Sequence, residues 1–102
     1  MVLRSSIITV RCFGCDWDPQ KDLENQRKHG VRFVVACCVF DDPHRHVVPD
    51  DGNYDEDRWI ALGRVGPVVL VVAFTERKGR DRIISARRAK RREEQTYYEG
   101  FS

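Results

Sequence analysis

Residues 82–89 read Arg82-Ile83-Ile84-Ser85-Ala86-Arg87-Arg88-Ala89, an apolar β-branched pair that runs into a cluster of arginines. The two isoleucines are typical of the end of a buried strand, and Ser85 is a favourable N-cap for a helix that begins at Ala86. Arg87 and Arg88 would then lie at the positive end of the helix dipole, which is unfavourable unless an anion is bound there. The stretch therefore predicts a strand-to-helix junction with an anion or phosphate site, although two solvated arginines on an exposed turn would give the same pattern.

The segment before this junction has the pattern of an antiparallel meander. Residues 58–65 and 68–75 are two runs that predict strands, separated by the tight turn Gly66-Pro67. The second run is almost continuously apolar, which is typical of a central strand. A polar hairpin around Gly79 turns the chain back, so that residues 82–84 are expected to run antiparallel to the central strand.

His44-Arg45-His46-Val47-Val48-Pro49 predicts a short strand at the edge of this sheet. In a strand, both histidines would lie on one face, and aspartates flank the segment on both sides. A divalent metal site is conceivable here, but surface strands commonly carry such residues without binding a metal.

The N-terminal part of the chain predicts one helix and leaves a second element open. Asp18-Pro19 is a favourable helix start, and Gly30 follows Lys28 and His29 as a helix-ending residue. Residues 31–40 are rich in β-branched residues, which favours a strand. Their apolar residues also recur at the spacing of one helical face, so composition alone leaves strand and helix equally open.

These elements add up to one α+β domain over residues 1–102. We expect an antiparallel sheet of about four strands, with helices before it and one helix after it, the last from Ala86 to about Tyr98. Residues 1–10 are β-prone and apolar, and are either an extra strand or an N-terminal extension.

The cysteine spacing gives little support to a metal or redox site. Cys12 and Cys15 have C-x-x-C spacing, but Cys37 and Cys38 are adjacent, which is poor geometry for chelation. Asp16 and the residues after it do not continue as the helix that a redox motif opens. We interpret the cysteines as core or incidental residues in a fold that does not need disulfides, and expect no cofactor and no metal.

Charge is distributed unevenly along the chain. Net charge is only +2, yet residues 77–102 contain nine Lys or Arg against four Asp or Glu, whereas residues 1–76 contain nine against twelve. A basic C-terminal quarter suggests a polyanionic partner, although a charged helix face that keeps the protein in solution is nearly as common. No apolar run is long enough for a membrane helix and the start lacks the features of a signal peptide, so we expect a cytoplasmic protein with no membrane partner.

Several local patterns resemble one known family, in the same order along the chain. The blocks that carry the resemblance are Asp16-Trp17-Asp18-Pro19-Gln20-Lys21, Asn25, Arg27-Lys28-His29-Gly30-Val31-Arg32-Phe33, Ala36, Val39-Phe40-Asp41-Asp42-Pro43, Asp57-Arg58-Trp59-Ile60-Ala61-Leu62-Gly63, Phe74-Thr75-Glu76-Arg77, and residues 82–89 with Glu93 and Tyr97. Together they look like the BrnT toxins over about residues 13–98. The chain departs from the family at Cys15, where Phe is usual, and in about ten additional residues at the start.

The resemblance implies a bacterial type II toxin with a RelE-like fold. It implies an endoribonuclease that inhibits translation and is held inactive by a BrnA-type antitoxin in a toxin–antitoxin hetero-oligomer. It also implies that residues 31–40 form a second N-terminal helix.

Cleavage of RNA without a metal requires a base for the 2′-OH, cations for the phosphorane charge and an acid for the 5′ oxygen. Arginines from strand ends and the helix start are expected to converge at one sheet edge, where guanidinium groups suit phosphate. The candidate catalytic residues are Lys28, His29, Arg58, Arg77 and Arg87, and the candidate RNA-binding residues are Arg82, Arg88 and Tyr97. Histidine is suited to proton transfer near neutral pH, but His29 would equally serve as a helix cap, and the alternative for Arg58 is a surface ion pair.

Two other classes of function fit the same residues. A module that binds nucleic acid through its basic final helix would show salt-dependent binding without cleavage. A decayed toxin would retain only its binding partner.

Overall fold

The computed structural model describes residues 14–52 and 56–100. The elements in chain order are β1 (Cys15–Trp17), α1 (Pro19–His29), α2 (Phe33–Ala36), a 3₁₀ helix (Cys37–Asp41), β2 (His46–Asp50), β3 (Arg58–Val65), β4 (Val68–Arg77), β5 (Arg80–Arg88) and α3 (Arg91–Glu99). The strands form one sheet in the order β1-β5-β4-β3-β2. β1 runs parallel to β5, and the other neighbours are antiparallel.

The α+β class is therefore confirmed, but two details of the predicted sheet were wrong. The sheet of the described residues has five strands and not about four, and it is mixed because β1 is parallel to its neighbour. The expected extra strand or extension at residues 1–10 lies outside the described residues.

The predicted strand-to-helix junction at Ser85 was also wrong. β5 continues to Arg88, with Ala86 opposite Val72 of β4, and α3 begins only at Arg91. Ladder hydrogen bonds and burial against β4 outweigh the local helix preference of this stretch, since β-structure depends strongly on its neighbours. Arg87 and Arg88 therefore lie on a strand and not at a helix start. The anion site that their predicted position suggested is not formed by these two residues.

The core lies between one face of the sheet and the segment that contains α1, α2 and the 3₁₀ helix. β4 is central, as its apolar sequence predicts, and supplies Leu70, Val72 and Phe74. The other buried members of this core are Val31, Phe33, Ala36, Cys37, Val39, Ala61, Ile83 and Ala86.

Both predicted ends of α1 are confirmed. The Asp18 carboxylate accepts a hydrogen bond from the Gln20 N–H at 2.9 Å, and Pro19 is the first helical residue. Gly30 adopts a φ of 71°, and its N–H donates to the Gln26 carbonyl at 2.9 Å. A positive φ at this position is what favours glycine as the residue that ends the helix.

The segment of residues 31–40 is helical from Phe33 onward, as the resemblance implied, but it forms two short helices, Phe33–Ala36 and Cys37–Asp41. Phe33 and Ala36 in α2 and Cys37 in the 3₁₀ helix are buried, so the helical spacing of apolar residues identified the face that packs on the sheet. Phe40 packs edge-to-face on Phe74, with ring centroids 4.8 Å apart. Tertiary burial here outweighs the β-branched composition.

Cys15 and Cys37 form a disulfide, which corrects the interpretation of these two cysteines as incidental, whereas Cys12 lies outside the described residues. The bond joins the short edge strand β1 to the 3₁₀ helix across 22 residues of sequence. Because β1 has only three residues, this crosslink restrains an element that few ladder hydrogen bonds hold. Cys38 is half-buried and outside any disulfide, and its thiol donates a hydrogen bond to the Val34 carbonyl oxygen at 3.7 Å.

We expect reduction of this disulfide to lower the free energy of unfolding by about 3 kcal/mol, since a crosslink of this loop length limits the entropy of the unfolded chain. Denaturant unfolding with and without a phosphine reductant measures the difference. A Cys15→Ser protein should match the reduced protein, whereas a Cys38→Ser protein should still respond to the reductant. Equal stability of oxidised and reduced protein would contradict this expectation.

The predicted turns are confirmed and the predicted edge strand is slightly displaced. Gly66-Pro67 joins β3 to β4, and Lys78 and Gly79 join β4 to β5 with φ values of 55° and 75°. Two successive positive φ angles are typical of the hairpin turn that matches strand twist. The edge strand β2 begins at His46, so His44 precedes it and the two histidines do not share a strand face.

Candidate active site

The two faces of the sheet are covered differently. Side chains alternate along a strand, and directly paired residues share a face. The face that carries Leu70 and Val72 packs against the core described above. The opposite face carries Val71, Ala73 and Thr75 of β4, and α3 lies over one end of it. We call this second face the open face.

Four arginines lie together on the open face, at the end away from α3. Thr75 pairs with Arg82 of β5, and Arg77 pairs with Arg80. Arg58 is the first residue of β3. By the register of β3 with β4, it lies across from Thr75 on the side away from β5. These four side chains, Arg58, Arg77, Arg80 and Arg82, are called the arginine cluster below.

Carboxylates hold three members of the arginine cluster. Glu56 lies between two of them, with its Oε2 3.4 Å from Arg58 Nε and its Oε1 3.6 Å from Arg77 Nη2. Asp16 of β1 accepts from Arg82, with Oδ1 3.2 Å from Nη1. These acidic neighbours orient the cluster. Because the Arg77 side chain is 53% exposed, the cluster is also open to solvent. Such an arrangement presents guanidinium groups in defined positions to an incoming anion.

Arg87 lies on the same face but at the opposite end. It pairs with Val71, four residues along β4 from Thr75, which corresponds to about 13 Å of strand. Its Nη1 and Nη2 donate to the two carboxylate oxygens of Glu93 in α3 at 2.8 and 2.9 Å. The expected convergence of Arg77, Arg82 and Arg87 at one edge was therefore wrong, since the first two lie at one end and Arg87 holds α3 at the other.

The pKa values of this pair reflect their hydrogen bonds. The bond from Arg87 lowers the pKa of Glu93 to about 2, and the bond to Glu93 raises the pKa of Arg87. The stabilisation that the pair contributes is present above about pH 4.5, the ordinary value for Glu, and is lost as the pH falls towards 2. The docking of α3 is thus expected to weaken in acid.

We expect the melting temperatures of wild type and Glu93→Gln to differ most at neutral pH and to converge as the pH falls from about 4.5 to 2.5. Thermal melts by circular dichroism across this range measure the difference. A Glu94→Gln protein, altered at the exposed neighbouring position, should track the wild type throughout. A difference between wild type and Glu93→Gln that stays constant with pH would contradict the assignment.

One family model matches this chain, over residues 17–93, and describes the ribonuclease toxin BrnT of a type II toxin–antitoxin system. The chain belongs to the BrnT toxin family. The match includes Glu56, all four residues of the arginine cluster and Arg87, so the open face is part of the family domain. No curated protein matches the chain. Within the described residues, no helix is long and apolar enough to cross a membrane.

Three predicted site residues lie elsewhere in this BrnT domain. Arg88 pairs with Leu70 and so lies on the core side of the sheet, where it lines a cavity of about 190 Å³ together with Gly30. Lys28 and His29 are exposed at the end of α1, directly before Gly30. The structure therefore does not bring these three side chains together with the arginine cluster.

Tyr97 is in the interior of the BrnT domain. It is 1% exposed, and its hydroxyl donates to the Asp42 carboxylate. Burial and this bond raise the pKa of Tyr97 to about 12. The pKa of Asp42 is lowered: burial alone would raise it, but the bonds from Tyr97 and from the backbone N–H groups of Arg64 and His44 outweigh that effect. Tyr97 thus anchors α3 to the sheet, and in this position its ring cannot stack on a base.

Sequence reasoning missed Glu56, Arg80 and Asp16 as members of the site. Arg80 alternates with Arg82 on one strand, so period-two spacing was a usable signal. Glu56 and Asp16 reach the cluster from a loop and from β1, and sequence offers no signal for such contacts. Among residues 14–52 and 56–100, no three His, Cys, Asp or Glu side chains are grouped as metal ligands.

Proposed function

We propose that this chain is a metal-independent endoribonuclease and that RNA is cleaved on the open face, at the arginine cluster. The observation that carries the proposal is the juxtaposition of Arg58 and Arg77 around one carboxylate, beside Arg80 and Arg82. Family membership supports ribonuclease activity in general.

Phosphate chemistry suits this cluster. A phosphodiester gains negative charge as the 2′ oxygen attacks phosphorus, and planar guanidinium groups can donate two hydrogen bonds each to its oxygens. Donors that are already oriented need little reorganisation when that charge develops. Glu56 and Asp16 supply this orientation, since they hold Arg58, Arg77 and Arg82 in place before RNA binds.

The open face also offers a surface along which RNA can extend. Ile60 and Ala73 are half-buried on this face between the arginine cluster and Arg87, and the half-buried Leu62 lies level with Arg87 across the sheet. An RNA chain bound at the arginine cluster would extend over these apolar side chains towards α3. Arg87 is a predicted catalytic residue, but its bidentate bond to Glu93 means that an Arg87→Ala change would also weaken the docking of α3.

The proposal gives the protein an antitoxin partner as well as RNA. A toxin of a type II system is neutralised by a co-expressed protein, here a BrnA-type antitoxin in a hetero-oligomer, and unrestrained RNA cleavage would inhibit translation in the cytoplasm. The final helix α3 and the exposed edge strand β2 are the surfaces proposed for docking, because unpaired strand edges accept a partner strand. Lys28 and His29 were predicted as base or acid, but they lie at the end of α1, and this position gives that role no geometric support.

The experiment that tests the function is incubation of the purified protein with total RNA in EDTA, read on a denaturing gel. Cleavage that stops when the antitoxin is added would support the proposal. Intact RNA, both with naked RNA and with translating ribosomes, would overturn it. Salt-dependent RNA binding without cleavage would instead support a non-catalytic binding module.

A further inference from the structure

We propose that Glu56 is the general base that deprotonates the attacking 2′-OH of RNA. This inference deepens the proposed function and rests on it. It starts from the position of the carboxylate, which lies on the open face between two arginines that suit a phosphate.

Glu56 has the geometry that a base needs. Its oxygens are 3.4 Å from Arg58 Nε and 3.6 Å from Arg77 Nη2, so the two guanidinium groups lie on either side of the carboxylate. A phosphodiester bound by these arginines would place its neighbouring ribose next to the same oxygens. The Glu56 side chain is 36% exposed, and it therefore remains accessible to a substrate hydroxyl.

A shallow cavity adjoins the carboxylate. Its volume is about 290 Å³, and it is lined by Pro49, Asp50, Asp51, Gly52, Glu56, Asp57, Arg58 and Trp59. The four carboxylates of the lining disfavour a phosphate inside the cavity, whereas they can accept hydrogen bonds from the hydroxyl groups of a ribose. The cavity thus suits the sugar, and Arg58, which lines it, suits the phosphate together with Arg77, which contacts Glu56.

The chemical step then balances as follows. A Glu56 carboxylate oxygen takes the proton of the 2′-OH, and the 2′ oxygen forms a bond to phosphorus. The P–O5′ bond breaks, its electron pair leaves with the 5′ oxygen, and that oxygen takes a proton from water. The products are a 2′,3′-cyclic phosphate and a 5′-hydroxyl end, while Arg58 and Arg77 stabilise the charge on the phosphorane.

Charged groups from the neighbouring strands and from its own loop face Glu56. Arg58 of β3 and Arg77 of β4 contact it, and the carboxylates that share its cavity are Asp50, Asp51 and Asp57. Cleavage that uses Glu56 as base requires the ionised carboxylate, so the rate should fall as acid protonates it. Replacement by Gln should remove this acid limb, because an amide has no corresponding titration.

The test is single-turnover cleavage of a short synthetic RNA by wild type, Glu56→Gln and the control Glu24→Gln, from pH 4 to 8. Glu24 is exposed on α1, away from the open face. We expect Glu56→Gln to cleave at least about 100-fold more slowly than wild type, with no fall in its rate at acidic pH. Glu24→Gln should match wild type. The dissociation constant for the same RNA with 2′-deoxyribose at the cleaved position should differ by less than about threefold between wild type and Glu56→Gln. The base acts on the hydroxyl, which this analogue lacks.

Each other result has a definite meaning. Glu56→Gln cleaving as fast as wild type would overturn the proposal and leave Glu56 as an ion-pair partner. Faster cleavage would also overturn it and show that Glu56 occupies the phosphate position in the free protein. Absence of cleavage by wild type, both of this RNA and of RNA on translating ribosomes, would overturn the proposed function as well, and this outcome is distinct from the first two. Thermal melts of the variants exclude misfolding as the cause of a lost activity.

Discussion

Replacement of Arg58 by alanine is expected to slow RNA cleavage by about 100- to 1,000-fold, which is the typical loss when one preorganised donor to a developing oxyanion is removed. Of the two arginines that flank Glu56, Arg58 is the more buried: its side chain is 27% exposed, against 53% for Arg77. A donor that is partly shielded from water interacts more strongly with a developing charge than one that is fully solvated.

Two further variants make the Arg58 measurement specific. Arg58→Lys keeps the charge but loses the planar fork, so we expect activity between that of wild type and Arg58→Ala. Arg27→Ala removes an exposed arginine from α1, on the other side of the sheet, and should leave cleavage unchanged. The measurement is the initial rate on a fluorescent RNA in EDTA, with melting temperature as the check on folding. Equal rates for Arg58→Ala and Arg27→Ala would place the chemistry outside the arginine cluster.

Replacement of Asn25 by alanine is expected to lower the free energy of unfolding by about 3 kcal/mol or more. Asn25 is 5% exposed in α1. Its Nδ2 donates to the Val31 carbonyl at 2.9 Å and to the Ala86 carbonyl at 2.7 Å, and its Oδ1 accepts from the Ala86 N–H at 3.1 Å. The side chain therefore pairs with β5 as a neighbouring strand would, and its removal leaves buried backbone groups without partners.

The Asn25→Ala protein should melt roughly 12 °C or more below wild type, by the usual relation between stability and melting temperature for a domain of this size. Glu24→Ala, at the adjacent exposed position, should stay within a few degrees of wild type. Asn25→Asp should not restore stability, because a carboxylate can accept from the Ala86 N–H but would face two carbonyl oxygens. A melting temperature for Asn25→Ala close to that of Glu24→Ala would contradict this account.

The arginine cluster shows how far sequence reasoning can reach at the site. Arg58, Arg77 and Arg82 were identified from residue type and from their positions at strand ends, and the structure places them on one face. Their mutual arrangement depends on the register of three strands. Arg87 illustrates the limit, since β5 continues to Arg88 and carries it to the other end of that face.

Tyr97 and Glu56 show the same limit: Tyr97 was predicted at the site but lies elsewhere, whereas Glu56 was not predicted and lies in it. A tyrosine in a basic helix suggested contact with RNA, but the docking of α3 buries the ring and bonds its hydroxyl to Asp42. Glu56 lies in an acidic loop that gave no sign of a site. It becomes part of one because the loop brings its carboxylate between two arginines on neighbouring strands.

The amino-acid sequence by itself determined the elements whose signals are local, together with the family. The caps of α1, the two turns that flank β4, the apolar run of β4 and the ordered blocks of the BrnT resemblance each depend on residues close together in the chain. Tertiary structure decided the rest: the length of β5, the parallel β1 with its disulfide, and the side of the sheet on which each arginine lies. The physical reason is that ladder pairing and burial bring together residues that are distant in sequence, and they outweigh the local preferences that a sequence displays.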